Sequence, residues 1–568
     1  MALGIVMKKG IYISILTIFA ALPVQGIAQV QSVEEREAKT AYIQGLEAFE
    51  NEEYDMATTL LLQAYEHLRR QSGVSFALAD VYFQQDDLAN AALYGKEAVG
   101  MEPANKWYRL KLAEIYRSAG QNQATLDELN TLLEYHPNDY TALFMLADTQ
   151  KEYGQFIQSN RTLDKVSNLT GPNPVVLLRK FQNYEALGNT ELALEQLELL
   201  NEAEPENLNT LNLLGEYLIR SGRGSEAKKY LNDALYRNSR DPQTLINLAG
   251  IYIDEQRWDS AGTMLGNFIS DPIIEAEQKL MIAQFMYARQ QNNPSNIQLS
   301  IETARILDLY TESAPEYGPA FTLAGQFYSI TGDSDKALEN LARANELLPE
   351  DDIAWRQRLQ LLLGEGRYDE AILVGIEADK NAPEDAFIQF FLGSAYLLDG
   401  NYPEAVTWLE RASRAPARRP FKSVIFSALG DAQSSLENYE ESDRVYELAI
   451  RYDSNNHNAM NNYAYSLSVR EVNLERAKEL ALKAIEMDAE NPAYLDTVGW
   501  VYFKLGDYDR ARRFIKASID TGANDAEVME HLGDVYEKLD NLQEAKKWWK
   551  QALENDDTRV HLQEKINS

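Results

Sequence analysis

The stretch from His531 to Ala552, HLGDVYEKLDNLQEAKKWWKQA, decides the fold. A Leu532-Gly533 pair is followed three residues later by Tyr536, nine beyond that by Ala545, and seven further on by Ala552, with Trp549 between the alanines. The same order returns upstream as Leu392-Gly393, Tyr396, Ala405, Leu409, Ala412, and again as Gly325, Tyr328, Ala337, Leu341, Ala344, closed by Pro349. Spacings of three, four and seven residues keep side chains on one face of a helix.

The small residue of the first helix serves as a marker. It falls at Gly45, Ala79, Ala113, Ala147, Phe181, Gly215, Ala249, Ala283, Gly325, Leu359, Gly393, Gly430, Ala464, Gly499 and Gly533. Eleven of the fourteen gaps are 34 residues, and the others are 42, 37 and 35, so the chain is an array of one repeated unit. Gly or Ala on the first helix lets the second cross closely. A second set of small residues (Ala57, Ala64, Ala193, Ala227, Ala234, Ala371, Ala378, Ala511, with Ser518 after it) seats the next unit. Pro103, Pro137, Pro205, Pro349 and Pro383 stop second helices, because proline lacks an N–H and restricts the residue before it. An amphipathic pair cannot bury its apolar face alone, so pairs stack into one continuous core.

This pattern resembles the tetratricopeptide repeat, whose tryptophan position is kept at Trp355. The resemblance implies an all-α, right-handed superhelical solenoid of about fifteen helix pairs. The expected organisation is a leader over residues 1–28, a linker over 29–37, an array of eight repeats over 38–313, one of seven over 314–558, and a polar tail over 559–568. The 42-residue gap adds eight residues around Gln290-Gln291-Asn292-Asn293-Pro294-Ser295, read as a longer loop or longer helices and a flexure between two arms. The 37-residue gap adds three near Pro416-Ala417-Arg418-Arg419-Pro420.

Composition narrows the function. The 568 residues carry 54 Lys and Arg against 88 Asp and Glu, a net charge of −34, which opposes nucleic acid and anionic membrane as general partners. There is no cysteine, which removes thiolate metal sites, disulfides, cysteine nucleophiles and a lipobox. The five histidines, at 67, 136, 457, 531 and 561, never reach metal-ligand spacing. No phosphate-binding loop, nucleophile elbow or metalloprotease motif is present. The expectation is a chain that is not an enzyme and needs no cofactor or metal.

At the N-terminus, Lys8-Lys9 precedes the apolar run Ile11 to Val24, and Gly26-Ile27-Ala28 offers small residues for cleavage. The run is shorter than the ~20 residues that span a bilayer. Export to a bacterial periplasm or cell envelope, with cleavage after Ala28, is the expectation.

Side chains six and three before the marker, and one and four after it, share one helical face and should look into the concave groove. In the last repeats these are Asn458, Asn461, Tyr465, Asp496, Trp500, Phe503, Glu530, Asp534 and Glu537. Together they form the candidate protein-binding groove, with Asn to clamp a backbone, Tyr465 and Trp500 as anchors, and an acidic wall for basic or apolar segments. Trp500 reads equally as a residue packed on its neighbour. The family's clamp for acidic C-terminal peptides uses Lys, Asn and Arg at such positions, and Asp496, Glu530 and Asp534 depart from it. The basic stretch Arg411, Arg414, Arg418, Arg419 and Lys422 is either an intramolecular partner for acidic helices or an alternative docking patch for an acidic protein or lipid headgroup. The last hundred residues look like a block found in bacterial envelope tetratricopeptide proteins, some of them adaptors that deliver substrates to a processing protease. The function expected is an envelope scaffold or adaptor that binds proteins through the groove. A stable component or assembly factor of an outer-membrane or secretion machine, and a binder of cell-wall glycans or peptides, are the other readings.

Overall fold

The computed structural model describes residues 32–567 apart from 172, so the expected leader lies outside the described residues. Among the described residues there are thirty-one α-helices and no strand. They make fifteen helical hairpins and one short closing helix. The chain divides into two compact units, one ending at Ser239 and one covering Arg240–Ser568. The division expected after residue 313 lies inside the second unit.

Local signals set the helix ends. The first helix, Val33–Glu50, begins within the expected linker because the Ser32 side chain accepts a hydrogen bond from the Glu35 N–H at 3.1 Å. Between repeats a Pro-X-Asn/Asp unit does two jobs. Pro103, Pro137, Pro205, Pro349 and Pro383 stand just past a second helix. Two residues later Asn105, Asp139, Asn207, Asp351 and Asp385 cap the next first helix through side-chain oxygens. The family tryptophan has a related task, since Trp355 Nε1 donates to the Pro349 carbonyl at 2.8 Å.

Packing follows the small residues. A Cβ added at Gly215, Gly393 or Gly533 would lie 2.5, 2.7 and 2.4 Å from side-chain atoms of Leu231, Leu409 and Trp549. The eight second-helix alanines named above are all 0% exposed. Ser518 is also fully buried, and its hydroxyl donates to the Pro492 carbonyl at 2.7 Å. Phe181, where other repeats are small, is buried edge-on against Tyr217 with ring centroids 5.2 Å apart.

The insertions lengthen helices. Ala276–Asn292 and Ile297–Ser313 each have 17 residues, where typical partners such as Pro492–Lys504 and Tyr508–Asp520 have 13. The extra turns meet at the hairpin tip, which projects about 6 Å further at 1.5 Å per residue. Gly262 and Gly266 of the preceding second helix, Trp258–Ile269, let it pack closely on Ile297–Ser313, with Arg305 over both glycines. The three residues near Pro416 are absorbed the same way: Arg419–Ser435 also has 17 residues and starts one turn early.

Most of the hairpin turns hold one residue at positive φ. Glycine fills it at Gly400 and Gly506, but Glu437 holds φ 58° with a side chain. The left-handed region costs an L-residue roughly 1–2 kcal/mol, part of which glycine returns as chain entropy. Glu437→Gly is therefore expected to raise the urea midpoint, corresponding to a gain of up to about 1 kcal/mol in unfolding free energy. An unchanged or lowered midpoint would show that the Glu437 side chain contributes more than its backbone strain costs.

Residues 559–568, expected as a polar tail, contain the helix His561–Asn567. Leu562 is fully buried against Ala526, Trp549 and Ala552. The helix covers the apolar end of the last hairpin.

Candidate functional site

One register recurs on the inward faces of the first helices. The residue just after the marker meets the residue two before the next marker, 31 positions on. Arg179 donates to Asp148 at 2.7 Å, Lys111 pairs with Asp80 at 3.0 Å, and Asn462 reaches Asp431 at 3.2 Å. In the last repeats Trp500 stacks on His531 with ring centroids 3.8 Å apart, and Lys565 donates to Asp534 at 2.7 Å. The short C-terminal helix thus continues the register as the start of a further first helix.

That register governs the expected groove. Asp496 is buried and pairs with His531 Nδ1 at 3.0 Å. Trp500 is 8% exposed between His531 and Phe503, whose ring lies 4.7 Å away at 6°. Lys504 Nζ sits 4.9 Å over the indole. Tyr465 reaches past one repeat to donate its O–H to Glu527, with burial and that carboxylate pushing the phenol up. Asn458 is exposed and accepts from the Tyr494 hydroxyl. Asn461 is buried beside Asn462.

The acidic wall is largely spent within the chain. Glu530 pairs with Arg559 at 2.7 Å, His561 at 2.8 Å and Lys565 at 3.4 Å. Burial pushes its carboxyl up, but these cations outweigh burial and hold it below the usual glutamate range. Asp534 also accepts from Trp549 Nε1 at 2.8 Å. The Asp431 carboxylate accepts in the same way from the Tyr446 hydroxyl. In both repeats the second helix places an aromatic with a polar edge against the marker glycine, and the adjacent aspartate satisfies it. Packing chemistry accounts for these two acids. Of the wall, Glu537 stands exposed beside Lys538.

Trp548 Nε1 on the last second helix finds no hydrogen-bond partner among the described residues, and neither do two buried atoms of the expected groove, Asn461 Oδ1 and Trp500 Nε1. The latter two lie on inward positions of adjacent first helices, His457–Val469 and Pro492–Lys504.

The basic stretch is divided. Arg411 pairs with Asp379 at 3.0 Å and lies over the Trp408 ring. Lys422 donates to the Ser413 and Ala415 carbonyls at the preceding helix end, and burial holds its ammonium below the usual lysine range. Arg414 pairs with Glu410 at 2.6 Å, and Arg419 donates to the Arg451 carbonyl at 3.1 Å. Arg418 is exposed.

The tetratricopeptide-repeat family profiles match residues 42–106, 331–386, 375–420 and 499–559, and a second profile of the same description matches 425–456. The chain is a tetratricopeptide-repeat protein. Its fold is a protein-interaction scaffold. The TPR repeat-containing protein PA4667 of Pseudomonas aeruginosa is 28% identical over 31% of this chain and 29% of its own length. The BBSome complex member BBS4 of Bos taurus is 24% identical over 49% of this chain and 58% of its length. The cellulose synthase 1 operon protein C of Komagataeibacter xylinus is 25% identical over 35% of this chain and 16% of its length. The alignments cover less than two thirds of each relative.

Sequence reasoning singled out the positions six and three before the marker and one and four after it, but missed the position two before the marker, and with it His531, Asn462 and Lys565. The signal available was the 31-residue pairing of complementary side chains, Asp80 with Lys111 and Asp148 with Arg179. Among the described residues no group of acids and histidines could hold a metal, and no helix is long and apolar enough to cross a membrane.

Proposed function

We propose that this repeat protein is an exported, non-enzymatic scaffold of the bacterial cell envelope, and that the inward face of its last three repeats takes a segment of a partner protein. The observation that carries the reading is the pair of buried atoms without partners, Asn461 Oδ1 and Trp500 Nε1. A buried polar group left unsatisfied costs roughly 1–3 kcal/mol, so an acceptor and a donor on these two helices would gain from a partner's backbone N–H and C=O. The stacked Trp500, Phe503 and His531 rings supply a stiff bed for apolar side chains. Since Glu530 and Asp534 are already paired, long-range attraction of cations adds little, and association is expected to depend weakly on salt.

Envelope placement rests on the charged, apolar, small order of residues 8–28. Mass spectrometry of the mature N-terminus is expected to find Gln29 first; a mature chain keeping Lys8 and Ile11 rejects export by this route. One relative is named for a cellulose synthase operon, which is in keeping with the second reading, a stable component of an envelope assembly.

The binding test uses a partner recovered by crosslinking in envelope fractions. Trp500→Phe keeps an aromatic ring at this position and removes the N–H together with part of the indole surface that stacks on His531 and Phe503. It is expected to weaken binding by about 1–3 kcal/mol, mainly through faster dissociation, and urea unfolding of the same variant reads the packing cost of the smaller ring separately. Wild-type affinity in both Trp500→Phe and Asn461→Ala would remove the groove as the site.

A further inference from the structure

We propose that a ridge on the tenth to twelfth repeats docks an acidic, apolar segment of a partner protein, separately from the groove of the last three. Six residues before the markers of three successive repeats stand Ile353, Phe387 and Val424, which are 49%, 38% and 42% exposed. Contacts join them into one surface. Ile353 shares a helical face with Arg356, whose guanidinium lies 4.8 Å over the Phe387 ring. Phe387 stacks on Phe421 at 3.9 Å and 14°, and Phe421 is one turn before Val424. The helix turn that carries Phe421 is the one added by the 37-residue spacing. Large apolar side chains exposed on adjoining repeats mark an interaction surface more than isolated ones do.

The charge beside the ridge fits an anionic partner. Residues 411 to 430 hold five Lys and Arg and no carboxylate, in a chain of net charge −34. Arg411, Arg419 and Lys422 are engaged within the chain, as described above. Arg418 is exposed with no ion pair to another described residue, and Arg414 is 72% exposed although it touches Glu410. Arg418 also stands at the N-terminus of Arg419–Ser435, where no side chain caps the free N–H groups and the helix dipole adds positive potential.

The surroundings favour a protein segment over the alternatives. Asp352, Asp385 and Glu410 border the ridge, each tied to one arginine. A flat anionic membrane would press against these carboxylates. A segment can set its own carboxylates on Arg418 and Arg414 and its apolar side chains on Phe387 and Val424. A second copy of this chain would bring a net charge of −34 against the same value.

The full chain can be titrated by fluorescence anisotropy with a short synthetic peptide that alternates Asp and Glu with Leu and Phe. Its counterpart replaces the acids with Lys. The acidic peptide is expected to saturate, and the basic one to bind at least about tenfold more weakly. Arg418→Glu and Val424→Asp, both at exposed positions, should each weaken the acidic peptide by about tenfold with unchanged circular dichroism. Arg418→Glu should also flatten the salt dependence, while Trp500→Phe should leave this binding unchanged. The proposal falls if both peptides bind alike, or if neither ridge variant matters. It falls too if phosphatidylserine vesicles bind in place of the peptide, or if sedimentation shows self-association that Arg418→Glu abolishes. None of these outcomes bears on the groove, whose own variants test it.

Discussion

Replacing Gly393 with leucine is expected to destabilise the eleventh repeat and its neighbours by about 1–3 kcal/mol, the usual cost of overpacking a filled core. The first Cβ alone would lie 2.7 Å from Leu409 Cγ and 3.1 Å from the Leu409 backbone nitrogen. Leu409 is fully buried in a cluster with Ala405, Leu429 and Ala432, so it has no free space to retreat into. The backbone contact means that relief requires the two helices of the hairpin to separate. Stability in such arrays is a sum of repeat and interface terms, so the loss should centre on residues 386–435 in hydrogen exchange. Urea unfolding gives the magnitude. The matched control is Gly100→Leu, where an added Cβ meets nothing within 4 Å and no loss is expected. Equal midpoints for the two variants would show that Gly393 is not a close crossing.

A second large effect is expected at Asp431. Burial pushes its carboxyl up from an ordinary 3.8 to about 6, against the lowering by hydrogen bonds from Tyr446 and Asn462. From about pH 4 to pH 6 the unfolded chain gives up this proton while the folded chain keeps it. The folded state then binds more protons, so stability falls as pH rises through this window. Above about pH 6 both states are ionised and the penalty stays constant. A shift of about two pKa units corresponds to about 3 kcal/mol. Asp431→Asn keeps an oxygen to accept from Tyr446 and carries no charge. It is expected to stabilise the chain by about 1–3 kcal/mol at neutral pH, with the gain shrinking towards zero near pH 4. Thermal or urea midpoints of both proteins at the two pH values check it. A gain that is the same at both would mean that charge burial is not the cause, and a loss at neutral pH would mean that the ionised Asp431–Tyr446 contact is net stabilising.

Asp431 and Asp534 show why the candidate site was only partly legible. Both occupy the inward position expected for partner contact. Each is committed to an aromatic of its own hairpin, Tyr446 or Trp549, fifteen residues later. Trp500 had been readable as an anchor or as a packed residue, and it is packed, on His531 and Phe503. His531 had no visible role until the next repeat was laid beside Trp500. Glu530 looked free until the closing helix brought Arg559, His561 and Lys565 onto it.

What the sequence by itself determined is the repeating hairpin. The 34-residue period, the small residues at Gly215, Gly393 and Gly533, and the proline stops are local or depend on a single helix crossing. Helical periodicity converts them directly into which face is apolar and where each helix ends. What only the tertiary structure decided is which side chains meet across repeats: Asp80 with Lys111, Asp148 with Arg179, Trp500 with His531, Phe387 with Phe421. It also decided that the extra residues near Pro294 and Pro416 lengthen helices. The physical reason is that these contacts depend on the offset between stacked helices. That offset follows from how many interface side chains fill space together, and no single helix carries it.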